Sequence, residues 1–407
     1  MSGQRAAAEP YTTRFETTVR SVDGREVRLE RSYFYAESGG QPADRGAVGD
    51  VPVETVFLED GEPVHVLAEE PAFAPGRRVL CSIDWSFRMY CMRAHTASHV
   101  LYGAGRRLLE GLGYGGFDIG ERKVRVDFET TTTIDDDVLV DLERLVNRAI
   151  WESRPVSWQS IPAREAHERE AIAFNEATEE GALADGSVRI VTVGGPDDNG
   201  DANESTDPWD VAACGGTHVR NTREIGPVTV LERSNPGEGL TRVEFAVGPR
   251  AIERRSVEKR ATLAAKDALG SSVEEVPAAL DRLIDERDRL EETVTELRGR
   301  LLEASLETAE PVARDGDRWL VTTVEEVSAN DAAEVAREAA GERADVVVLV
   351  GADGATFAVV GAGGSRSAET VVDELTDAFG GGGGGSDRLA QAGGFDAEPE
   401  EIVDWLG

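Results

Sequence analysis

The sequence predicts an α+β protein in four parts: a small β-barrel over residues 1–85, an α+β domain over 86–250, a long helical hairpin or coiled coil over 251–310, and an α/β glycine-rich domain over 311–407. Three observations predict it. Short alternating β runs, separated by turn residues, fill the first ninety positions. A heptad stripe breaks the chain after 250, and the stretch beyond it returns to β and α patterns around a run of six glycines. At 407 residues the chain exceeds one ordinary core, and its 40% hydrophobic content suffices to bury several.

The elements follow in order. Residues 17–22 and 26–30 alternate about Asp23-Gly24, a hairpin signal, and residues 51–57 and 63–67 continue the β texture. Between them lies the polar, glycine-rich loop 37–46. Residues 86–110 read as a helix, 124–128 as a strand, and 135–152 as a helix with acids in its first turn. A further helix is expected over 165–180 and strands over 187–193, 228–232 and 241–247. Residues 194–210 hold six acids and no base, which reads as a solvated acidic loop. Leu280, Leu283, Arg287, Leu290, Val294, Leu297 and Leu301 step by three and four, an a/d stripe that needs a second helix, either residues 251–268 or another copy of the chain. Strands at 319–324, 344–351 and 354–360 and a helix at 367–379 lead into Gly380–Gly385, which reads as a flexible linker or as a loop exposing its backbone to phosphate.

Charge narrows the function classes. The chain has 78 acids against 43 bases, a net charge of −35, and three lysines among those bases. That balance suits concentrated salt, where self-repulsion is screened over a few ångströms, and taken as an average it disfavours a polyanionic partner. A genome that favours arginine codons explains the missing lysines but not the acids. Three cysteines exclude a disulfide framework, no apolar run is long enough to span a membrane, and the N-terminus has no apolar signal region, so a cytoplasmic protein is expected.

Two short motifs carry the chemistry. His95 and His99 stand four residues apart on the first helix, roughly 40° apart around it, so both imidazoles reach the same point. Cys214 and His218 flank Gly215, Gly216 and Thr217 and can approach a common ion from a loop. Three nitrogens and one sulfur form a set that zinc prefers; a metal-free Cys/His pair is the alternative. Either motif alone is weak, but three of the five histidines fall in the two. From Gly76 to Leu109 there are six arginines, including Arg93, Arg106 and Arg107, and one acid. Such arginines more often coat a helix and pair with acids; beside a metal site they suggest a phosphate-bearing substrate.

His95-Thr96-Ala97-Ser98-His99 with Cys214-Gly215-Gly216-Thr217-His218 resembles the editing domain of alanyl-tRNA synthetase and the freestanding alanyl-tRNA editing proteins of AlaX type. Residues 37–46 look like their glycine motif, 187–193 like the strand entering the second motif, and 381–394 like the glycine-rich C-terminal domain. The resemblance, closest to the long freestanding form, implies zinc-dependent hydrolysis of tRNA(Ala) mischarged with serine or glycine. It implies one zinc per chain on His95, His99, Cys214 and His218. Gln41 and Thr96 are the candidates for sensing the serine hydroxyl. The backbone N–H groups of Gly215 and Gly216, or of Gly39 and Gly40, are the candidates for an oxyanion. Arg93, Arg106 and Arg107, with Gly39 and Gly40, are the candidate substrate contacts. With four protein ligands the ion would be closed, so one ligand is expected to yield, His218 or Cys214 on their loop rather than the helical pair. The C-terminal half is expected to bind tRNA, to form a homodimer, or both. A tRNA-binding regulatory module with a structural zinc is the alternative, and a zinc phosphoesterase a third reading that lacks an acidic metal cluster.

Overall fold

A computed structural model describes residues 5–169, 172–174, 183–184, 186–194, 207–237, 239–325 and 327–407. The chain separates into two compact units, Met1–Thr262 and Leu263–Gly407. The architecture is mixed α+β with a small closed barrel.

After one helical turn, α1 (Arg5–Ala8), the barrel is built from β1 (Arg14–Asp23), β2 (Glu26–Leu29), β3 (Gly46–Val48), β4 (Val51–Glu59), β5 (Glu62–Leu67) and β6 (Arg78–Ile83). The strand order is β1-β2-β5-β4-β3-β6, closed by β1 against β6 with Phe15 opposite Cys81. The alternation read in the sequence turns Phe15, Val19, Val27, Val56, Leu67 and Cys81 inward. The hairpin falls at Asp23-Gly24, with Gly24 at positive φ.

The rest of this unit wraps two antiparallel sheets around one buried helix, α2 (Trp85–Leu108). Asp84 caps α2 by accepting from the N–H groups of Ser86 and Phe87. Then come β7 (Gly113–Ile119), β8 (Val124–Glu129), α3 (Asp136–Trp151), β9 (Val156–Pro162), α4 (Ala163–Glu168), β10 (Leu183–Ala184), β11 (Ser187–Val193), β12 (Asp210–Ala213), β13 (Val228–Gly237) and β14 (Leu240–Val247). One sheet runs β13-β14-β8-β7; in the other, β11 pairs with β9, β10 and β12. The face of α2 bearing Cys91, Ala94, Ala97, Val100, Leu101 and Ala104 is fully buried in the shared core.

Two expectations change here. The helix expected over 165–180 ends at Glu168, and Ala173 forms a bridge with Ala212 instead, its N–H bonded to the carbonyl of Val211; residues 175–180 lie outside the described residues. The acidic loop expected over 194–210 also lies largely outside them, but its last residue does not belong to a solvated loop. Asp210 opens β12 and is 2% exposed.

Helix α5 (Pro249–Leu269) begins in the first unit and ends in the second, where α6 (Val276–Thr308) follows it. The heptad helix forms, but its stripe stays open: Leu283, Leu290 and Leu301 are more than half exposed. Leu302 and Leu306, outside the stripe, anchor the end of α6 in the core of its own unit. That core lies on a mixed six-stranded sheet of β15 (Val312–Arg314), β16 (Asp317–Val324), β17 (Val346–Ala352), β18 (Thr356–Ala362), β19 (Gly382–Gly385) and β20 (Leu389–Phe395). Helices α7 (Ala329–Ala339), α8 (Ala368–Phe379) and α9 (Pro399–Leu406) accompany it. Among these strands only β16 and β17 run parallel. The glycine run is neither linker nor loop: Gly382–Gly385 form the edge strand, each paired with β20. At Gly383 and Gly385 an added Cβ would meet β20 atoms at 2.3–2.4 Å, which is why the strand is glycine there. Among the described residues no helix is long and apolar enough to cross a membrane.

Candidate metal centre

Helix α2 carries His95 and His99 through the core, and the turn after β12 brings Cys214 and His218 against them. One nitrogen from each imidazole and the Cys214 Sγ all lie within 4.8 Å of one another, and all four residues are buried. The Sγ sits 3.3 Å from His95 Nε2 and 3.2 Å from His218 Nε2. A tetrahedral zinc with ordinary bond lengths separates an S and an N ligand by about 3.6 Å, so the donor set fits that ion.

The outer partners fix how the imidazoles face. Gln41 Oε1 is 2.9 Å from His95 Nδ1 and also accepts the Thr217 N–H, while its Nε2 donates to Thr217 Oγ1. Asp210 Oδ2 is 2.8 Å from His99 Nδ1. Thr96 Oγ1 donates to the Met92 carbonyl and accepts the Val219 N–H, so at 3.2 Å from His218 Nδ1 it takes that proton as an acceptor. In all three histidines an outer acceptor faces Nδ1, which leaves Nε2 directed into the cluster, the orientation a metal ligand needs.

Three glycines make the approach possible. An added Cβ on Gly216 would lie 2.1 Å from the His95 ring. Gly39 and Gly40 both have positive φ in the tight turn between Ser38 and Gln41, and an added Cβ on Gly40 would lie 2.1 Å from the Phe117 carbonyl. That turn delivers Gln41 behind His95, and the Gly40 carbonyl accepts the Ile119 N–H. Phe117 in turn stacks on His95 with ring centroids 4.6 Å apart.

Electrostatics set the cluster apart from the other thiols. Burial pushes Cys81 and Cys91 up to about 12. Burial acts on Cys214 in the same direction, but His95 and His218, by charge and hydrogen bond, outweigh it and hold its thiol well below the ordinary value. Burial depresses His218 to about 3. On His99 burial is outweighed by Asp210 and Cys214, which push it up to about 10. A metal binding there must displace the second proton of His99.

Several sequence candidates take other places. Gln41 and Thr96 are not among the residues lining the cleft beside the cluster; Gln41 bonds to His95 and Thr217, and Thr96 to His218, Met92 and Val219. The Gly216 N–H points to the Cys214 sulfur, 3.4 Å away, and not to an open oxyanion position. The Cys214–His218 turn, expected to be the yielding half, is the more enclosed one. His218 is 0% and Cys214 1% exposed, Arg189 grips the Cys214 carbonyl, and His99 at 8% is the ligand nearest the opening. The basic stretch is mostly consumed. Arg88 forms a buried ion pair with Asp44, Arg93 donates to the Glu224 carbonyl, and Arg107 donates to the Gly103 and Trp209 carbonyls while stacking on Trp209 at 3.8 Å. Arg106 lies over Tyr102 and approaches Asp210.

The structure adds residues the motifs did not single out. A narrow cleft reaches the cluster, lined by Ser98, Tyr102, Tyr114, Phe174 and Asp210 together with His95, His99 and Cys214. It continues outward between Tyr102, Arg106, Tyr114 and Phe174. Asp210 is placed by its neighbour Trp209, whose indole donates to the Val100 carbonyl and lies against Gly103, where an added Cβ would sit 2.4 Å from the ring. The short apolar run Trp209, Val211, Ala212 and Ala213 around Asp210 is the available signal for a buried strand; the acids preceding it obscure that signal.

Comparison with known proteins agrees with the resemblance. Residues 188–244 match the family described as the threonyl and alanyl tRNA synthetase second additional domain. The chain is 30% identical over 389 residues to an alanine–tRNA ligase of Pyrococcus abyssi, covering 94% of this chain and 41% of the ligase. It is 31% identical to that of Methanopyrus kandleri, with 90% and 40% covered, and 32% identical to that of Methanothrix thermoacetophila, with 95% and 42% covered. The chain thus spans about two fifths of the length of these relatives. Among solved structures, the C-Ala domain from Aquifex aeolicus alanyl-tRNA synthetase matches 24% of this chain and 93% of its own at 23% identity and a TM-score of 0.22.

Proposed function

We propose that this chain, a relative of the alanyl-tRNA synthetases that carries their second additional domain, is an aminoacyl-tRNA deacylase that frees tRNA(Ala) mischarged with serine or glycine. The observation that carries the reading is the set of three Nδ1-held histidines and one thiolate at the closed end of a cleft. The matched family supplies the substrate class.

His95, His99, Cys214 and His218 would hold one zinc, whose chemistry there is to polarise an ester carbonyl or to acidify a bound water. The chain's own part is positional. Gln41, Asp210 and Thr96 keep each imidazole in one tautomer and one orientation, so no reorganisation is needed when substrate arrives. Phe117 covers the outer face of His95 and keeps water from that side. Ser98, Tyr102 and Tyr114 on the cleft walls carry hydroxyl groups, and one that met a serine side chain would favour serine over alanine. The second unit, with its open heptad stripe and glycine edge strand, would serve tRNA binding, formation of a homodimer, or both, and the acidic surface would suit the protein to concentrated salt.

One observation favours a second reading. Four buried protein ligands form a closed set, the arrangement of structural zinc sites, which would make the chain a tRNA-binding module without activity. The cleft that opens beside His99 favours the deacylase. The test is the zinc-loaded protein in molar salt with Ser-tRNA(Ala), Gly-tRNA(Ala), Ala-tRNA(Ala) and a generic phosphodiester. Hydrolysis of the first two with sparing of Ala-tRNA(Ala) is expected. Binding of all three without turnover would establish the second reading, and cleavage of the phosphodiester alone would refute both.

A further inference from the structure

Asp210 does more in this geometry than hold His99. Only one of its carboxylate oxygens, Oδ2, is used on Nδ1. The other, Oδ1, is buried and accepts no hydrogen bond among the described residues. Arg106 forms a long ion pair with it, Nε standing 3.7 Å away, beyond hydrogen-bond reach, with its guanidinium over the Tyr102 ring. The Asp210 side chain is 1% exposed and lines the cleft that ends at the cluster. A buried carboxylate oxygen without a hydrogen bond costs free energy, and the neighbouring residues hold it there: Trp209 anchors the strand start through the Val100 carbonyl, and Gly103 makes room for the indole.

We propose that Asp210 Oδ1 is the subsite for the α-ammonium group of the aminoacyl ester. This rests on the deacylase reading and deepens it by naming what the site recognises besides the side chain. A fixed carboxylate recognises a cationic N–H donor through a charge-assisted hydrogen bond. The aromatic walls formed by Tyr102, Tyr114 and Phe174 suit an ammonium group as well. The α-ammonium and the ester carbonyl of an aminoacyl group hang from one Cα. An ammonium held at Oδ1 therefore brings the carbonyl alongside the His99 edge of the cluster, because the same carboxylate holds both. Asp210 in this role ties substrate orientation to ligand orientation, and the site becomes selective for esters with a free amino group. N-acylated and 2-hydroxyacyl esters are expected to be poor ligands.

The test uses the zinc-loaded full chain and two non-hydrolysable probes: adenosine carrying serine through a 3′-amide, and its counterpart with a hydroxyl in place of the amino group. Calorimetry on the unaltered protein is expected to show the amino probe binding about tenfold tighter or more, the worth of one charge-assisted hydrogen bond. In Asp210→Asn the amide oxygen still accepts from His99 while the NH2 group faces the cleft. Zinc content is expected to persist and the preference to fall to about twofold or less on the same scale. A preference near unity in the unaltered protein, or one retained in Asp210→Asn, overturns the proposal. A crystal structure of the unaltered protein with the amino probe answers the same question without a variant, with the amino nitrogen expected within hydrogen-bond distance of Oδ1 and any other placement contradicting it. Probe preference without Ser-tRNA(Ala) hydrolysis would sink the deacylase reading and leave this one standing. Hydrolysis without probe preference would do the reverse.

Discussion

The barrel and the cluster each bury histidine, and they use it in opposite ways. In the barrel, His65 has both ring nitrogens engaged by neutral partners, Nε2 with Ser32 Oγ at 2.8 Å and Nδ1 with the Val27 carbonyl at 3.0 Å. Nothing is left over, and burial lowers its pKa to about 4. In the cluster each imidazole is engaged on Nδ1 by an outer partner, and the Nε2 atoms of His95 and His218 meet on the one sulfur of Cys214. The same contrast separates Cys81 and Cys91, pushed up by burial, from Cys214, held down by its neighbours. What marks a site is therefore not a buried histidine but several whose second nitrogens converge on one another and on a thiol.

Removing a ligand should have the largest effect. His99→Ala or Cys214→Ser is expected to abolish zinc binding and deacylation, whereas His65→Gln leaves zinc content unchanged; metal analysis of the purified variants checks both. If His65→Gln emptied the site, the contrast would fail.

Acid should separate the two regions next. His65 titrates near 6.5 when unfolded and at about 4 when folded, so its stabilising contribution is complete above 6.5 and is lost as pH falls through 4. The full loss amounts to roughly 3 kcal/mol at one unit of pKa per 1.4 kcal/mol. Denaturant unfolding of zinc-loaded protein between pH 7 and 4 should show that loss, and His65→Leu should flatten it.

The outer partners come third. Gln41→Ala and Thr96→Val are expected to weaken zinc by about 10–100-fold, the usual worth of an outer partner. Because neither lines the cleft, the ratio of Ser-tRNA(Ala) to Ala-tRNA(Ala) hydrolysis at saturating zinc should not change. A changed ratio would return both residues to the substrate-sensing role their motif suggests.

The smallest effect is expected at Arg93, whose guanidinium is committed to the Glu224 carbonyl. Arg93→Gln should leave the salt dependence of tRNA affinity unaltered, while a phosphate contact would reduce its slope by about one unit.

Much of this is legible in the residues. The i, i+4 pair and the CxxxH turn are readable because helical geometry fixes one and a short loop the other. The barrel is readable because its strands alternate cleanly. The functions of Gln41 and Thr96 are not, since a motif shows which residues accompany the ligands but not which way an amide or hydroxyl faces. Arg88, Arg93 and Arg107 look like a basic surface because a sequence count cannot see Asp44 or the carbonyls that consume them. Asp210 is hidden by its acidic neighbours. The glycine run reads as a loop because a strand without side chains leaves no alternation, and its pairing depends on β20 passing as close as 2.3 Å to where a Cβ atom would lie.

The central claim is that the cluster is a zinc centre for ester hydrolysis. It is tested most directly by following Ser-tRNA(Ala) deacylation through one cycle of chelation and zinc return on the same protein, in molar salt. The account predicts activity with one zinc per chain, its loss on chelation, its recovery with zinc, and Ala-tRNA(Ala) spared throughout. Turnover that survives complete removal of the metal, or a fully loaded protein that leaves Ser-tRNA(Ala) intact, would contradict it.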